Sequence, residues 1–214
     1  MKQQKNSKPA TGARQVNKEK SRRQIIEATV SCIANHGLSG VTVTRICVLS
    51  GVSRGMINAH FISKDNLLLE VLRSISTDYI EAVEAAASQF PNDPARAFVA
   101  EIETEINFWK RSYEESCAWF AFRAESLSNP EYLPLCSPRE SDLYAVPVRL
   151  CTELAEQGGY SKAQPELIAR GLTAMLEGFW FDHVCNPNTF VPADAQQCCI
   201  DFLRGHFPNH FNAD

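Results

Sequence analysis

The sequence predicts an all-α fold, and three observations support this class. Apolar residues recur every three or four positions along most of the 214-residue chain, which is the period of an amphipathic helix. Helix-capping residues and Pro or Gly breakers bound these segments at helix-like lengths. No segment of useful length alternates apolar and polar residues as a half-buried strand does. With 44% hydrophobic residues, the chain can also bury a sizeable core in one or two domains.

Composition argues against several classes of protein. No run of 18 or more apolar residues occurs, so no transmembrane helix and no membrane partner are predicted. Residues 1–20 are polar and basic without an apolar core, which argues against a secretory leader and favours a cytoplasmic location. The eight cysteines are scattered along the chain, and we expect reduced thiols rather than a disulfide framework.

Charge is distributed unevenly along the chain. Residues 1–64 contain 11 Lys and Arg but only two acidic residues, whereas residues 65–214 contain 10 Lys and Arg and 23 acidic residues. A basic first part on an acidic body is typical of a protein that meets a polyanion at one end. A basic tail that only aids solubility would give the same composition.

The N-terminal part is predicted to contain an arm and a first helix. Residues 1–16 are almost free of apolar side chains, so we expect a disordered basic arm there. The first helix is predicted to begin after Asn17, which is a good N-cap. Apolar side chains then recur at helical spacing, and Gly37 is expected to end this helix after His36.

Residues 42–61 predict two short helices joined by a tight turn. Thr42 can cap the first helix, and Gly51 supplies the positive φ that such a turn requires. Ser53 can cap the second helix, and an inward apolar stripe follows it. Two short helices around a glycine turn describe a helix-turn-helix, which lays its second helix in the major groove of DNA. We therefore predict a DNA-binding domain over residues 17–64.

Five strings of residues follow one another in this region and just after it. They are Thr42-Val-Thr-Arg-Ile46, Ser50-Gly-Val-Ser53, Arg54-Gly55, His60-Phe61 and Lys64-Asp-Asn-Leu67-Leu68. In this order they resemble the TetR-type (tetracycline repressor-like) family of bacterial transcriptional regulators. That family usually has Ala where this chain has Ser50, and Tyr where it has Asn58.

Ten residues are predicted to contact DNA, in two roles. Base reading is assigned to the exposed side of the second helix, because Arg favours guanine and Asn favours adenine in the major groove. Phosphate contacts are assigned to cations and helix starts, and the resemblance implies this role for Thr42, Thr44 and Lys64. The alternative is a basic face that is merely solvated. The ten residues are Arg22, Thr42, Thr44, Arg45, Ser53, Arg54, Gly55, Asn58, His60 and Lys64.

Residues 65–214 are predicted to form a helical ligand-binding and dimerisation domain. Helical periodicity runs from Leu67 to a Pro-rich breaker after residue 90, and returns over residues 98–108 and 117–127. The most hydrophobic helix is predicted from Leu167, and a last helix over residues 192–206.

Aromatic residues are frequent in this domain, and most are expected to be ordinary core. Two strings, Ala118-Trp-Phe-Ala-Phe122 and Leu176-Glu-Gly-Phe-Trp180, resemble the choline-responsive betaine regulators (BetI-type) of the TetR-type family. A quaternary ammonium has no N–H, so aromatic faces and a nearby carboxylate would hold it. The residues predicted to line an effector pocket are Trp109, Tyr113, Trp119, Phe122, Glu177 and Trp180.

Arg123 complicates the prediction of the ligand. The betaine regulators have a Trp at this position, and a guanidinium would repel a cation. It could instead attract a carboxylate ligand or pair with Glu177. A cationic ligand and another small, largely apolar ligand therefore both remain open.

Motifs of catalysis and of metal or cofactor binding are missing from the sequence. His206 and His210 have helical spacing, but Pro208 lies between them, and the adjacent Cys198 and Cys199 have poor geometry for a chelate. No H-E-x-x-H, P-loop or G-x-G-x-x-G string occurs, and the single match to G-x-S-x-G, Gly51-Val-Ser-Arg-Gly55, lies in the residues assigned above to the glycine turn and the N-cap that follows it. We predict that the protein is not an enzyme and has neither a metal site nor a cofactor.

The function predicted from the sequence is that of a ligand-responsive repressor. A single helix-turn-helix buries too little surface for tight specific binding, so we expect a homodimer on a two-fold symmetric operator in double-stranded DNA. The resemblance implies that the last two helices pair with their symmetry mates in a four-helix bundle. A small-molecule effector would release the DNA. The alternative is a helical enzyme or protein-interaction module with a basic arm.

Overall fold

The computed structural model describes residues 10–136 and 144–211, with side chains from Gln15 onward, and every regular element in these ranges is helical. This confirms the predicted all-α class. The chain divides into two compact units, the first ending at Val71 and the second beginning at Leu72. The helices are α1 (Ala10–His36), α2 (Val43–Ser50), α3 (Arg54–His60), α4 (Lys64–Ala87), α5 (Pro94–Arg111), α6 (Tyr113–Glu125), α7 (Leu133–Cys136), α8 (Ala145–Gly158), α9 (Pro165–Cys185) and α10 (Pro192–His206).

Helix α1 begins earlier than predicted. It starts at Ala10 rather than after Asn17, so residues 10–16 of the expected arm are helical. Ala10, Ala13, Arg14 and Gln15 have high helix propensity, and Asn17 lies inside the helix rather than at its cap. The side chain of Gln15 also bonds Glu19 one turn later, with Nε2 donating to Oε1 at 2.7 Å. Residues 1–9 of the expected arm lie outside the described residues.

The first unit contains the two short helices and the turn that the sequence predicts. Thr42 Oγ1 accepts a hydrogen bond from the Arg45 amide at 3.2 Å, and Ser53 Oγ accepts one from the Met56 amide at 3.2 Å. Gly51 adopts a φ of 69°, the left-handed conformation that the turn between the helices needs. Among the side chains of the core are Ile25, Ile33, Ile46, Ile57, Phe61 and Leu67.

The second unit is organised around α5 and α9, which pack against each other and each against α6, α8 and α10. Helix α5 begins with a capped turn, in which the Asp93 carboxylate accepts from the Arg96 amide at 3.0 Å and Pro94 takes the first position. Among the most deeply buried side chains of the unit are Phe98, Trp109, Phe122, Leu150, Leu154 and Phe207. The central position of α5 explains why polar residues on its inner side become part of a buried site.

Two further findings concern the whole described chain. None of the helices in residues 10–136 and 144–211 is long and apolar enough to cross a membrane. The eight cysteines are all free thiols, as the scattered spacing predicts.

Candidate nucleic-acid interface and effector cavity

Helix α3 presents a polar face to solvent. Ser53, Arg54, Gly55 and Asn58 are exposed, while Ile57 on the opposite side is 3% exposed and packs into the core. A Cβ built on Gly55 would have nothing closer than 3.9 Å, so the backbone of α3 is open at this point. This face has the shape and polarity that a base-reading helix requires.

The beginning of α2 lies beside the beginning of α3. Arg54 Nη2 approaches Thr44 Oγ1 at 3.4 Å, which links the two helix starts. Thr42 and Thr44 are exposed, and the exposed Lys64 stands at the first residue of α4. Several predicted phosphate-contacting groups are thus available to a ligand outside the protein.

Arg22 and Arg45 bind groups of their own unit instead. The Arg22 guanidinium forms an ion pair with the Glu70 carboxylate and lies 5.5 Å from the centre of the Phe61 ring. Arg45 Nη1 donates to the Gly40 carbonyl. These contacts stabilise the arrangement of α1, α2 and α4 and occupy part of the donor capacity of both guanidinium groups.

His60 is also directed toward the protein. Its Nε2 lies 2.8 Å from Ser21 Oγ, so the last residue of α3 is tied to α1. Burial lowers the pKa of His60, and the nearby Lys18 and Arg22 charges lower it further. The base-reading role predicted for His60 therefore competes with a bond that positions α3.

The second unit contains a cavity, here called the inner cavity, whose walls come from α4 to α9. Its aromatic wall is a group of three tryptophans, each at most 5% exposed. The Trp180 ring lies between Trp109 and Trp119, with centroid distances of 5.7 and 5.6 Å and interplanar angles of 6° and 13°. Trp180 Nε1 donates to Ser116 Oγ at 2.8 Å, whereas the Nε1 atoms of the other two have no partner among the described residues.

Two carboxyl groups of α5 complete the deep part of the inner cavity. Glu101 and Glu105 are one helical turn apart and only 2% and 7% exposed. Tyr79 Oη donates to Glu105 Oε2 at 2.6 Å, while Glu101 Oε2 has no hydrogen-bond partner in the described part of the chain. A buried carboxylate without a countercharge is costly, so this end of the cavity favours a cation or a proton.

Burial shifts the titration of both groups. It raises the pKa of Glu105 to about 7, and the Glu177 charge adds to the increase while the Tyr79 hydrogen bond opposes it. Burial and the neighbouring Glu105 together raise the pKa of Glu101 well above its ordinary value, against a lowering by Arg149.

An ion pair between α6 and α9 stands in the wall of the same cavity. Arg123 Nη1 donates to Glu177 Oε1 at 2.6 Å, and each side chain is about 30% exposed. Of the alternatives that the sequence left open for Arg123, the pairing with Glu177 is present. The carboxylate predicted to hold a cation is therefore already paired, and Glu101 Oε2 of α5 is the acidic oxygen of the cavity that has no hydrogen-bond partner among the described residues.

Two of the predicted pocket residues lie outside the inner cavity. Phe122 is fully buried against Tyr132, with ring centroids 5.3 Å apart. Tyr113 is 44% exposed, and its hydroxyl donates to the Val184 carbonyl at 3.0 Å. Neither lines the inner cavity.

Sequence reasoning also missed Tyr79, Glu101 and Glu105. A signal was present in α5, where the two glutamates occupy the same helical stripe as the buried Phe98 and Ile102. Acidic residues at inward positions of an amphipathic helix are unusual and indicate a buried polar site.

Comparison with known proteins assigns the family. Residues 25–71 match the sequence profile of the bacterial regulatory proteins of the tetR family, and residues 91–208 match that of the BetI-type transcriptional repressor, C-terminal. The HTH-type transcriptional regulator BetI 2 of Chromohalobacter salexigens is 35% identical over 85% of this chain and 86% of its own length. The chain belongs to the TetR family and to its BetI-type branch. It is therefore a DNA-binding transcriptional regulator of a repressor family, as predicted, and this family is not one of enzymes.

Further relatives agree with this assignment. The BetI of Serratia proteamaculans is 29% identical over 87% of this chain and 94% of its own. A crystal structure of a transcriptional regulator from Pseudomonas aeruginosa PAO1 has a TM-score of 0.76 at 29% identity and covers 90% of this chain and 93% of that one. A transcriptional regulator from Saccharomonospora viridis, crystallised in complex with choline, has a TM-score of 0.73 at 22% identity, covering 87% and 96% of the two chains. TetR-family regulators bind DNA and small-molecule effectors and act as dimers.

Proposed function

We propose that this BetI-type regulator represses transcription until a cationic effector of the quaternary ammonium class occupies the inner cavity. The observation that supports this class is the meeting of three buried tryptophans with two buried carboxyl groups in one cavity. Aromatic rings attract a desolvated cation by about 0.5 to 2 kcal/mol each, and a carboxylate in an apolar site gains from any countercharge. The choline bound to the regulator from Saccharomonospora viridis is a cation of this kind.

The DNA contacts divide between two groups of residues in this proposal. Ser53, Arg54, Gly55 and Asn58 read bases from the exposed face of α3. The phosphate contacts come from the helix starts, at Thr42, Thr44 and Lys64. Arg22, Arg45 and His60 act chiefly by positioning, because their side chains bind groups of their own unit.

A homodimer formed through α9 and α10 would place two such units on a two-fold symmetric operator. On α9, Leu167 and Phe181 are 57% and 54% exposed, and Gly178 leaves open space beside the helix. Exposed large apolar side chains beside a glycine favour close packing of a further helix. Gly171 instead allows α9 and α10 of the same chain to pack closely, since a Cβ there would lie 2.8 Å from the Phe202 ring of α10. A regulator that binds DNA in this way works in the cytoplasm.

Release of DNA requires an effector that distinguishes two states. A ligand with equal affinity for the DNA-bound and the DNA-free forms shifts nothing, so the cavity has to favour its ligand in the released form. This linkage also predicts the reverse effect, in which operator DNA weakens effector binding by the same factor.

The deciding experiment compares choline with its uncharged isostere, 3,3-dimethylbutan-1-ol. Isothermal titration calorimetry of the full chain is expected to detect choline and to find the neutral alcohol at least about tenfold weaker. A gel shift with DNA from beside the protein's own gene should show release by choline alone. Equal binding of the two compounds would contradict a cation site, while the assignment as a DNA-binding regulator would stand.

A further inference from the structure

A shallow outer groove adjoins the inner cavity and continues it toward solvent. The outer groove is lined by Ser126, Arg170 and Ala174, among others, and it shares Arg123 and Glu177 with the inner cavity. The ion pair between the two shared residues therefore stands at the junction of the two spaces. A ligand longer than a simple ammonium group could occupy both.

The lining side chains change from acidic at the deep end of the inner cavity to basic in the outer groove. At the deep end, Glu101 and Glu105 are buried, and Glu101 Oε2 lacks a partner among the described residues. At the outer end, Arg170 is exposed and Arg123 is about 30% exposed. Glu177 offsets one of these two guanidinium charges, so the described lining residues have excess acid inside and excess base outside.

Donors for an anionic group at the outer end come from guanidinium groups rather than hydroxyls. Ser126 Oγ donates to the Arg123 carbonyl at 2.8 Å, and Thr173 Oγ1 donates to the Ala169 carbonyl at 2.9 Å, so both hydroxyl protons are in use. Arg123 donates to Glu177 through Nη1. Because a guanidinium has five N–H donors, Arg123 can also donate to a ligand. A carboxylate in the outer groove would be bound by Arg123 and by Arg170.

We propose that the effector is a zwitterion, a quaternary ammonium whose chain ends in a carboxylate. The ammonium head lies in the inner cavity beside the α5 glutamates, and the carboxylate lies in the outer groove against Arg123 and Arg170. This proposal rests on the proposed function for the head group and adds the second charge. It gives the buried carboxyl groups at the deep end and the guanidinium groups at the outer end a partner each, whereas a simple cation partners only the deep end.

Titration calorimetry of the full chain with a graded set of compounds tests the proposal. The set contains choline, trimethylammonio carboxylates with one to five methylene groups between the two charges, and 4,4-dimethylpentanoate, which replaces the ammonium head by a tert-butyl group. We expect one length of zwitterion to bind about tenfold more tightly than choline, since a charge-assisted bond contributes about 1.4 kcal/mol or more. Choline binding as tightly as every zwitterion would overturn the proposal and leave the proposed function intact.

Substitutions then locate the carboxylate contact. Arg123→Gln should remove the preference for the zwitterion over choline, and Arg123→Lys should keep part of it. Arg170→Gln, at an exposed position that folding tolerates, should reduce the preference about two- to threefold. The matched control is Arg111→Gln, since Arg111 lies on the surface at the end of α5 and pairs with Glu115.

The outcomes separate the two proposals. An unchanged preference in both Arg123→Gln and Arg170→Gln would overturn the zwitterion while choline binding still supports a cation site. Binding of 4,4-dimethylpentanoate together with failure of every trimethylammonium compound would overturn the ammonium head and the proposed function with it.

Discussion

The exposed face of α3 and the inner cavity place their charged side chains in opposite environments. Arg54 and Lys64 are exposed at the starts of helices, where a charge remains hydrated at little cost in free energy. There it is accessible to a phosphate or a base. Glu101 and Glu105 lie among aromatic rings, where an ionised carboxylate is costly without a partner. In the proposed function, the first site can bind many polyanions and selects among them by direct contacts with bases. The second site is proposed to discriminate between ligands by the sign of their charge.

The two sites also differ in how much chain they require. The DNA-facing residues fall within the short segment from Thr42 to Lys64, and local caps set their positions. The inner cavity needs side chains from Tyr79 to Trp180, which come together only when the helices of the second unit pack. We expect the cavity to be more sensitive to loss of packing than the DNA-facing surface.

The largest effect should follow from Trp180→Ala. This residue is 4% exposed and lies between two other indole rings, so its truncation should lower the free energy of unfolding by about 3 to 5 kcal/mol. Urea denaturation followed by circular dichroism at 222 nm measures the change. The control, Leu127→Ala, is at an 89% exposed position and should cost less than about 0.5 kcal/mol. Equal losses would mean that the tryptophan group carries no special share of the packing.

A smaller loss, confined to sequence choice, is expected for Arg54→Ala. One good base contact contributes about 1 to 3 kcal/mol of discrimination, so affinity for the operator should fall more than affinity for random DNA. Arg22→Ala is the matched variant, because Arg22 binds Glu70 within the unit and its loss should weaken both kinds of DNA equally. Gel shifts with operator and with random DNA measure both affinities. An equal loss of affinity for the two DNAs in Arg54→Ala would make Arg54 a phosphate contact.

The cavity should respond to pH in a way that the DNA-facing surface does not. Because the pKa of Glu105 rises to about 7 from an ordinary 4.5, a cationic effector has to displace a proton below about pH 7. The contribution of Glu105 to the affinity for choline should therefore rise by up to about tenfold per pH unit below 7 and level off above it. Titration calorimetry from pH 5.5 to 8.5 measures this, and Glu105→Gln should flatten the profile.

The same group affects folding with the opposite sign. Between about pH 4.5 and about pH 7 the folded chain holds a proton on Glu105 that the unfolded chain has released, so this group's contribution to stability falls as the pH rises. Urea denaturation across this range should show a decline that is smaller in Glu105→Gln. An increase attributable to Glu105 would contradict a raised pKa.

The smallest effect is expected for Lys64→Ala at the start of α4. Loss of one phosphate contact should weaken operator and random DNA alike and reduce the slope of log K against log salt by about 0.9. Lys110→Ala, at an exposed position near the end of α5, serves as the charge control and should leave the slope unchanged. A slope that Lys64→Ala does not alter would place this lysine in solvent.

Sequence alone predicted the helix-turn-helix well because its signals are local. Thr42, Gly51 and Ser53 each specify a backbone conformation within a few residues, and the structure has all three as predicted. The side-chain partners were harder, since residue type does not decide whether a polar group on a short helix faces water. His60 and Arg22 contact neighbouring helices for this reason.

The cavity was predicted only in part because it depends on how separate helices meet. Trp119, Glu177 and Trp180 were identified from two aromatic strings and Trp109 from its residue type, and all four line it. Tyr79 was overlooked because periodicity marks it as inward without indicating what it faces. The α5 glutamates lay on an otherwise apolar stripe, where the packing of α6, α8 and α9 around α5 makes these two positions part of the cavity wall.

The arrangement of the indole rings makes the protein its own optical reporter. The chain has three tryptophans in all, and each of them lies in the wall of the inner cavity. Tryptophan emission, excited selectively near the red edge of the absorption band, therefore arises from that cavity alone, with no background from the DNA-facing helices. Rings 5.6 and 5.7 Å apart with nearly parallel planes also share their excitation, which gives a paired signal in near-ultraviolet circular dichroism. A change in either signal when operator DNA is added would mean that the unit which binds DNA and the unit which binds the effector communicate, without any attached label.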